Sequence, residues 1–251
     1  MKIQYAVSVK TENDEQEEFN FPLPSPRPLI ACIPARINEY EEEVARFFHW
    51  KTGLDYYQVI DHVIDFVISS GLKKIADLLT DTAVFALRLA ERKAFTGRVY
   101  SFESNITLLE RAKQMAEQMK LQKTIEFKHV FHETRLLLPD YSAEAAVSIF
   151  DLHRHTLRQY LAEILRILEP KGLFIIAVLT EPKAPISIKL WRWAHLKYIK
   201  KNPTEADTVY PDREELIKSL LCAGFRQVIV QEMTERTTMR PGVFSLITAT
   251  K

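Results

Sequence analysis

The chain has 251 residues, of which 47% are hydrophobic and 27% are charged, and its formal net charge is +1. This length and apolar content suit one globular domain with a sizeable core, and the near-neutral charge gives no global electrostatic case for binding nucleic acid. No apolar run is long enough to span a bilayer, and the first residues lack the apolar stretch of a signal peptide. The two cysteines, Cys32 and Cys222, are far apart and lack metal-ligand spacing. We therefore expect a cytoplasmic protein without a metal site.

The first 50 residues differ in composition from the rest of the chain. Five prolines lie between residues 22 and 34, a density that rules out helix and favours extended chain. Such a stretch is either an arm packed on its own domain, which we favour, or a partner-binding segment. Asn38 and Glu41 have the spacing of an N-cap and its capping-box partner. We predict an extended arm and a helix over residues 1–50, and the main domain over residues 51–251.

A second helix is predicted over residues 54–71. Val59, Val63 and Val67 share one face at helical spacing. Gly71 follows as a plausible C-terminal cap.

From Lys73 onward, apolar strand patterns alternate with amphipathic helix patterns. The predicted helices are 83–94, 106–120, 155–169 and 212–224, and the predicted strands are 73–79, 97–103, 124–130, 144–150, 172–179, 225–233 and 243–251. This alternation predicts an α/β, Rossmann-like fold: a seven-stranded, mostly parallel sheet with helices on both faces and an antiparallel last strand. Ligands of such sheets lie beyond the carboxyl ends of the strands. The candidate site is therefore at the loops after Leu79, Phe102, Val130 and Phe150.

Three segments in the second half of the chain carry a family resemblance. In the first segment, "LPDYSAEAAVSIFDLHRH", Glu144 opens the fourth strand and Leu152–His153 follows that strand. The second segment, "LRQYLAEILRILEPKGLFIIAVL", has a helix, a turn at residues 169–172 and a strand. The third segment, "YPDREELIKSLLCAGFRQVIVQEM", has a late helix, an Ala-Gly-Phe turn and a strand. Their order resembles that of class I S-adenosylmethionine-dependent methyltransferases, over about residues 55–251. The nearest type is the small-molecule methyltransferase of quinone biosynthesis. The resemblance implies S-adenosylmethionine as cofactor.

The loop after the first strand of this domain departs from the family pattern. There the family has an acidic residue, matched by Asp77, and then glycines at alternate positions. Leu79, Asp81 and Ala83 stand in place of those glycines, and none of the six glycines of the chain lies in this loop. Side chains at these positions restrict φ > 0 and occupy space near the ligand. The polar residues 80–82 can also serve as ordinary helix N-caps.

Two later strand ends carry further cofactor candidates. Glu103 lies where the family has an acid that accepts hydrogen bonds from both ribose hydroxyls, and its offset from Asp77 is close to the ~20 residues expected of a ribose-binding acid. It can equally be a solvated strand-end residue. Phe131 stands near the position of the family's adenine-side acid, where it can stack on adenine or fill the space that adenine leaves. The predicted cofactor-binding residues are Asp77, Leu79, Thr80, Asp81, Glu103, Ser104, Phe131, His132, Phe150 and Asp151.

Two histidines follow the fourth strand of this domain. His153 and His155 are candidate catalytic bases for deprotonating a hydroxyl or an amine. Methyl transfer to a good nucleophile, however, needs mainly positioning, and the family's Leu-His pair is often structural.

A basic insertion, residues 183–209, precedes the late helix and lies where the family often covers its substrate. Residues 183–201 combine lysines and arginine with aromatic residues and contain no acid. Such a segment can contact an anionic substrate, a membrane surface or nucleic acid. We favour a lid helix whose aromatic residues pack on the core.

Two functions are consistent with these patterns. The first is an S-adenosylmethionine-dependent methyltransferase acting on a small or lipid-like acceptor. The second is a catalytically inactive protein of the same fold that serves as a binding or scaffolding subunit. The acids Asp77 and Glu103 favour the first, and the degenerate, glycine-free loop favours the second. A Rossmann-like protein that binds another nucleotide is a weaker third interpretation.

Overall fold

The computed structural model describes residues 2–10, 41–42, 45–46, 48–49, 54–78, 82–131, 135–150, 157–180, 213–234 and 243–251. Their strands are β1 (Lys2–Lys10), β2 (Lys74–Leu78), β3 (Arg98–Glu103), β4 (Ile125–His129), β5 (Ala143–Ile149), β6 (Leu168–Thr180), β7 (Gln227–Thr234) and β8 (Val243–Thr250). Their helices are α1 (Tyr56–Ser69), α2 (Val84–Glu91), α3 (Ile106–Gln118), α4 (Leu157–Ile167) and α5 (Arg213–Ala223). Residues 41, 42, 45, 46, 48 and 49 are also helical.

The strands form one sheet in the order β1-β7-β8-β6-β5-β2-β3-β4. Strands β4, β3, β2, β5 and β6 pair in parallel, and β8 is antiparallel to both β6 and β7. This confirms the predicted seven-stranded, mostly parallel sheet with an antiparallel last strand. The structure adds β1 as an eighth, edge strand, which pairs antiparallel with β7.

Helices cover both faces of the sheet, as the alternating pattern predicts. Helices α1, α2 and α3 share one hydrophobic core with alternate residues of the strands, among them Ile75 and Val99. Helices α4 and α5 share the other, which includes Ala76 and Phe102. Successive residues of a strand point to opposite faces, so a strand between two helix layers needs apolar residues on both sides.

Local sequence explains where α1 begins and ends. Asp55 caps its N-terminus by accepting a hydrogen bond from the backbone N–H of Gln58 at 2.9 Å. Beyond its last residue, Gly71 adopts φ +69°, a left-handed conformation that glycine tolerates without a Cβ penalty. Gly71 therefore ends this helix, as predicted.

An ion pair joins α1 to α2 and so fixes the helix that enters the candidate site. The guanidinium of Arg88 donates to both carboxylate oxygens of Asp61, at 3.1 and 2.6 Å. Arg92 reaches the same carboxylate at 2.8 Å. A bidentate arginine–carboxylate pair restricts orientation as well as distance.

The junction between α4 and β6 differs from the prediction. We predict a turn at residues 169–172 before a strand at Gly172, whereas β6 begins at Leu168, directly after the helix. The residues of the predicted turn form an irregular part of the strand, where Lys171 has φ 66° and the register with the facing β5 shifts. A Cβ at Gly172 would lie 2.8 Å from the carbonyl oxygen of Glu169, so the bend needs glycine here.

Glu144, the acid that opens β5, has a structural role at the amino end of the sheet. Its carboxylate accepts hydrogen bonds from the backbone N–H groups of Lys73 and Lys74, at 2.6 and 3.3 Å. It thereby fixes the start of β2 beside β5. Glu144, which is part of the family resemblance, therefore acts at the opposite end of the sheet from the candidate site.

A second network holds the segment between β4 and β5 against α4. The buried carboxylate of Glu163 accepts from the backbone N–H of Leu136 at 2.6 Å and from Arg166. Arg166 also pairs with Asp140 at 2.6 Å. Burial raises the pKa of Glu163, but the hydrogen bonds from Arg166 and Leu136 outweigh it, and the net pKa is below its ordinary value.

Several predicted features fall outside the described residues: the proline-rich stretch, Asn38, the loop residues 79–81, residues 151–156 and the insertion 183–209. Among the helices that the structure describes, none is both long and apolar enough to cross a membrane. The domain boundary at residues 50–51 stays a prediction.

We expect Glu163→Gln to lower the free energy of unfolding at pH 7 by about 1.5–3 kcal/mol, the usual range for hydrogen bonds to a charged group. Because the folded-state pKa of Glu163 is depressed, its contribution is present above the unfolded pKa and is lost as pH falls through the folded value. The difference between wild type and variant in urea unfolding should therefore shrink below about pH 4.3.

Glu110→Gln is the matched control, because Glu110 is 54% exposed and pairs with Lys113 on the surface of α3. Such pairs contribute little, and we expect a change of less than about 0.5 kcal/mol. Equal effects of the two substitutions at pH 7 would contradict the assigned role of Glu163.

Candidate functional site

The order of the strands creates a crevice between the ends of β2 and β5. The chain moves from β2 outward to β3 and β4 on one side, and from β5 to β6 on the other. The helices that follow β2 and β5, α2 and α4, lie on opposite faces of the sheet. Ligands of open α/β sheets bind at such a switch point, outside the carboxyl ends of the strands. The site predicted from sequence lies at this edge.

The entry to α2 keeps a backbone conformation typical of glycine. Ala83, at one of the expected glycine positions, has φ 59° and ψ 32° and is the N-cap residue of the helix, where no side-chain cap is present. A left-handed conformation costs a non-glycine residue roughly 1–2 kcal/mol. Thr82 is buried next to it. The ordinary N-cap role that we allow for residues 80–82 is therefore wrong for Thr82.

Asp77 lies inside the sheet, next to the last residue of β2. Its side chain is only 2% exposed, and its carboxylate accepts a hydrogen bond from the hydroxyl of Ser101 on β3 at 3.3 Å. This burial favours a role in holding the strand end over direct presentation to a ligand. Its assignment to cofactor binding stays a prediction.

The end of β3 places a nearly buried carboxylate at the mouth of the crevice. Glu103 is 5% exposed, and its Oε1 accepts from the backbone N–H of Asn105 at 2.7 Å and from the hydroxyl of Ser104 at 3.4 Å. Asn105 in turn caps α3 by accepting from the N–H of Thr107 at 2.9 Å. The cap and the carboxylate together define the turn from strand to helix.

The chain just beyond the end of β4 presents an aromatic ring to solvent. Phe131 is 83% exposed, and its ring meets the ring of His129 edge to face at a centroid distance of 4.7 Å. His129 is the parallel-register neighbour of Glu103. An exposed phenylalanine just beyond β4 offers a stacking surface on the strand that neighbours the one carrying the acid.

The end of β5 contributes a third element, the aromatic side chain of Phe150. Phe150 has φ 64°, an uncommon conformation for a bulky residue, and its N–H donates to the carbonyl of Ala177 on β6 at 2.8 Å. Its half-buried ring packs against Phe48, Tyr56 and Phe244 at centroid distances of 4.7, 5.7 and 5.9 Å. These contacts hold the strained backbone in place.

The structure thus places Glu103 and Ser104 beside the end of β4, and Phe131 lies just beyond that strand end in contact with His129. Phe150 follows β5, on the other side of β2. The other predicted site residues lie outside the described part of the chain: Leu79, Thr80, Asp81, His132, Asp151, His153 and His155. The described residues contain no group of three or more His, Cys, Asp or Glu that could hold a metal ion. Sequence reasoning missed His129, although a strand-end histidine beside a strand-end acid was a visible signal.

Comparison with known proteins bears directly on this arrangement. Residues 80–176 match the methyltransferase domain family. This match agrees with the resemblance to class I S-adenosylmethionine-dependent methyltransferases. The matched segment carries Glu103, Phe131 and Phe150, so the candidate site lies within the methyltransferase domain. No curated protein matches the chain by sequence.

Solved structures of low sequence identity share the fold. An S-adenosylmethionine-dependent methyltransferase from Methanosarcina mazei has 22% identity and a TM-score of 0.56, over 74% of this chain and 96% of that one. The [4+2]-cyclase SpnF has 18% identity and a TM-score of 0.58, over 84% and 81%. Geranyl diphosphate methyltransferase in complex with S-adenosylmethionine has 10% identity and a TM-score of 0.54, over 75% and 84%.

S-adenosylmethionine is the cofactor of this methyltransferase family, and the residues present fit it chemically. The Glu103 carboxylate can accept hydrogen bonds from hydroxyls, since such a group has about four acceptor positions. The exposed Phe131 ring offers an aromatic face of the kind on which a purine stacks. Ala83, small and left-handed, preserves the backbone path that a glycine would give.

Because Ala83 is left-handed, Ala83→Gly should change the free energy of unfolding by less than about 1 kcal/mol. Relief of the strained φ offsets the buried methyl and the backbone entropy that are lost. Ala86→Gly is the matched control, since Ala86 is fully buried inside α2. That substitution should cost about 1–2 kcal/mol through lost helix propensity and burial. Thermal unfolding in which both variants lose equal stability would contradict the assigned conformation of Ala83.

Proposed function

We propose that the protein binds S-adenosylmethionine at the carboxyl ends of β2, β3 and β4 and methylates a small or lipid-like acceptor. The observation that carries this proposal is a nearly buried acid, Glu103, at the end of β3, with the exposed ring of Phe131 just beyond the end of the neighbouring strand β4. Nucleoside recognition needs an acceptor for the ribose hydroxyls and an apolar face for the base, and these two residues supply both.

Each described residue of the site has a role under this proposal. Glu103 accepts hydrogen bonds from the ribose hydroxyls, with Ser104 beside it, and Phe131 covers one face of adenine. The bound cofactor supplies an activated methyl group on a sulfonium. The protein contributes mainly orientation, because a good nucleophile aligned with that methyl needs little other assistance.

The loop residues Leu79, Thr80 and Asp81 would meet the amino-acid end of the cofactor. Asp81 would repel the methionine carboxylate, but it can pair with the ammonium or the sulfonium. The proposal assigns it to the ammonium. His132 and Asp151 complete the predicted binding set after β4 and β5.

The half-buried rings of Phe150 and Tyr56 support an acceptor with an apolar part. They lie together at the end of β5, on the α1 side of the crevice. The structurally similar geranyl diphosphate methyltransferase, solved with its GPP ligand, is a precedent for such an acceptor on this fold. His153 and His155 are the proposed general bases where the acceptor needs deprotonation.

The segment 183–201 is the proposed lid. Its basic residues are also the proposed point of contact with an anionic substrate or a membrane.

The glycine-free loop favours one alternative, a protein of this fold that no longer transfers methyl groups and instead serves as a binding or scaffolding subunit. Fold alone does not decide between them, and the [4+2]-cyclase among the similar structures carries a different activity on this fold. The two functions differ in the affinity that they require for the cofactor.

Glu103→Ala should weaken S-adenosylmethionine binding by about 1.5–3 kcal/mol, or roughly ten- to hundredfold, because a charged acceptor is removed. Calorimetric titration with S-adenosylmethionine and S-adenosylhomocysteine measures this. Glu103→Gln keeps the shape and one acceptor oxygen and should lose less. Glu110→Ala, on the exposed surface of α3, should bind as wild type does. Wild type that fails to bind at millimolar ligand would refute the proposal.

The alternative has its own signature in the same titration. If the loop has lost its function, wild type shows no affinity, and a Leu79→Gly and Asp81→Gly double variant regains some by restoring the family pattern. If the loop functions as it stands, wild type binds and the double variant gains little. A gain of more than about tenfold, equivalent to 1.4 kcal/mol, would favour the scaffold.

A further inference from the structure

His129 connects the two elements that flank the proposed nucleoside site. It is the last residue of β4, directly beside Glu103 in the parallel register. Its Nε2 lies 2.9 Å from the carbonyl oxygen of Ser104. A carbonyl oxygen only accepts hydrogen bonds, so Nε2 carries the hydrogen and donates it.

The carbonyl that His129 contacts belongs to the same peptide group that binds Glu103. The C=O of Ser104 and the N–H of Asn105 are the two ends of one planar unit. That N–H donates to the Glu103 carboxylate at 2.7 Å. A hydrogen bond to the oxygen of a peptide group fixes its plane and strengthens its N–H as a donor. His129 therefore acts on the Glu103 carboxylate through a single peptide group.

The same imidazole also contacts the aromatic element of the site. Its ring meets Phe131 at 79° between planes, with the centroids 4.7 Å apart. Edge-to-face pairs of this geometry are favourable. Phe131 is 83% exposed, so core packing does not fix its ring, and the imidazole restricts its orientation from one side.

We propose that His129 is a positioning residue for the adenosine half of the cofactor, setting the Glu103 carboxylate through the Ser104–Asn105 peptide and the Phe131 ring by direct contact. This inference rests on the proposed function, because it concerns the same site. It assigns His129 no contact with the reacting atoms.

Substitution at His129 separates its two contacts. His129→Ala removes both, and we expect S-adenosylhomocysteine to bind roughly five- to thirtyfold more weakly. His129→Gln can keep a donor toward Ser104, and His129→Phe keeps a ring beside Phe131. Each should recover part of the lost affinity. His62→Gln, a histidine change in the middle of α1, is the matched control and should bind as wild type does.

A double-mutant cycle distinguishes positioning from general stability. If His129 acts through Glu103 and Phe131, His129→Ala should cost much less in the Glu103→Ala and Phe131→Ala backgrounds than in wild type. If the losses of binding affinity are fully additive in both backgrounds, the inference is overturned. It is also overturned if wild type binds and both His129→Ala and His129→Gln bind with unchanged affinity. Where His129→Ala does not fold, His129→Gln and His129→Phe carry the same cycle. Absence of binding by wild type would instead remove the proposed function, and the inference with it.

Discussion

The parallel register of β5, β2, β3 and β4 is the constraint on which the site depends. Leu78 pairs with Ser148 on one side and with Phe102 on the other, and Glu103 pairs with His129. Since parallel strands end at the same edge, this register places the acid Glu103 beside the imidazole of His129, and Phe131 follows two residues after His129. A slip of one residue would turn each of these side chains to the other face of the sheet.

A chain can lack the glycines of a family pattern and still adopt the backbone conformation that those glycines support. Ala83 adopts the left-handed conformation that glycine usually supplies, and it does so with a buried methyl group. The strain is tolerated because α2 is anchored to α1 by Arg88 and Asp61 and packs into the core along its length. A missing glycine is thus weaker grounds for lost function than the sequence pattern alone indicates.

The sequence predicts the alternating strands and helices of this fold well, and the features outside that alternation poorly. The seven strands β2–β8 follow from local alternation of apolar segments, which reports burial between helix layers. Strand β1 lies outside this alternation, because its partner β7 is remote in sequence. The sequence therefore predicts only an extended arm there. Of the site, Glu103 and Phe131 are predictable from their places at strand ends. The strand-end position of His129 is visible in the sequence, but its contact is not, because its partner is a backbone carbonyl 25 residues away.

The position of β8 between β6 and β7 has a consequence for how the chain acquires its structure. Strand β7 emerges from the ribosome before β8, the strand that joins it to β6, and β1 emerges long before its partner β7. Until residues 243–250 are available, β6 has an open edge, and β1 and β7 can form no more than a detached ribbon. Unpaired edges of this kind are templates for aggregation. A nascent chain stalled before β8 would therefore depend on chaperones.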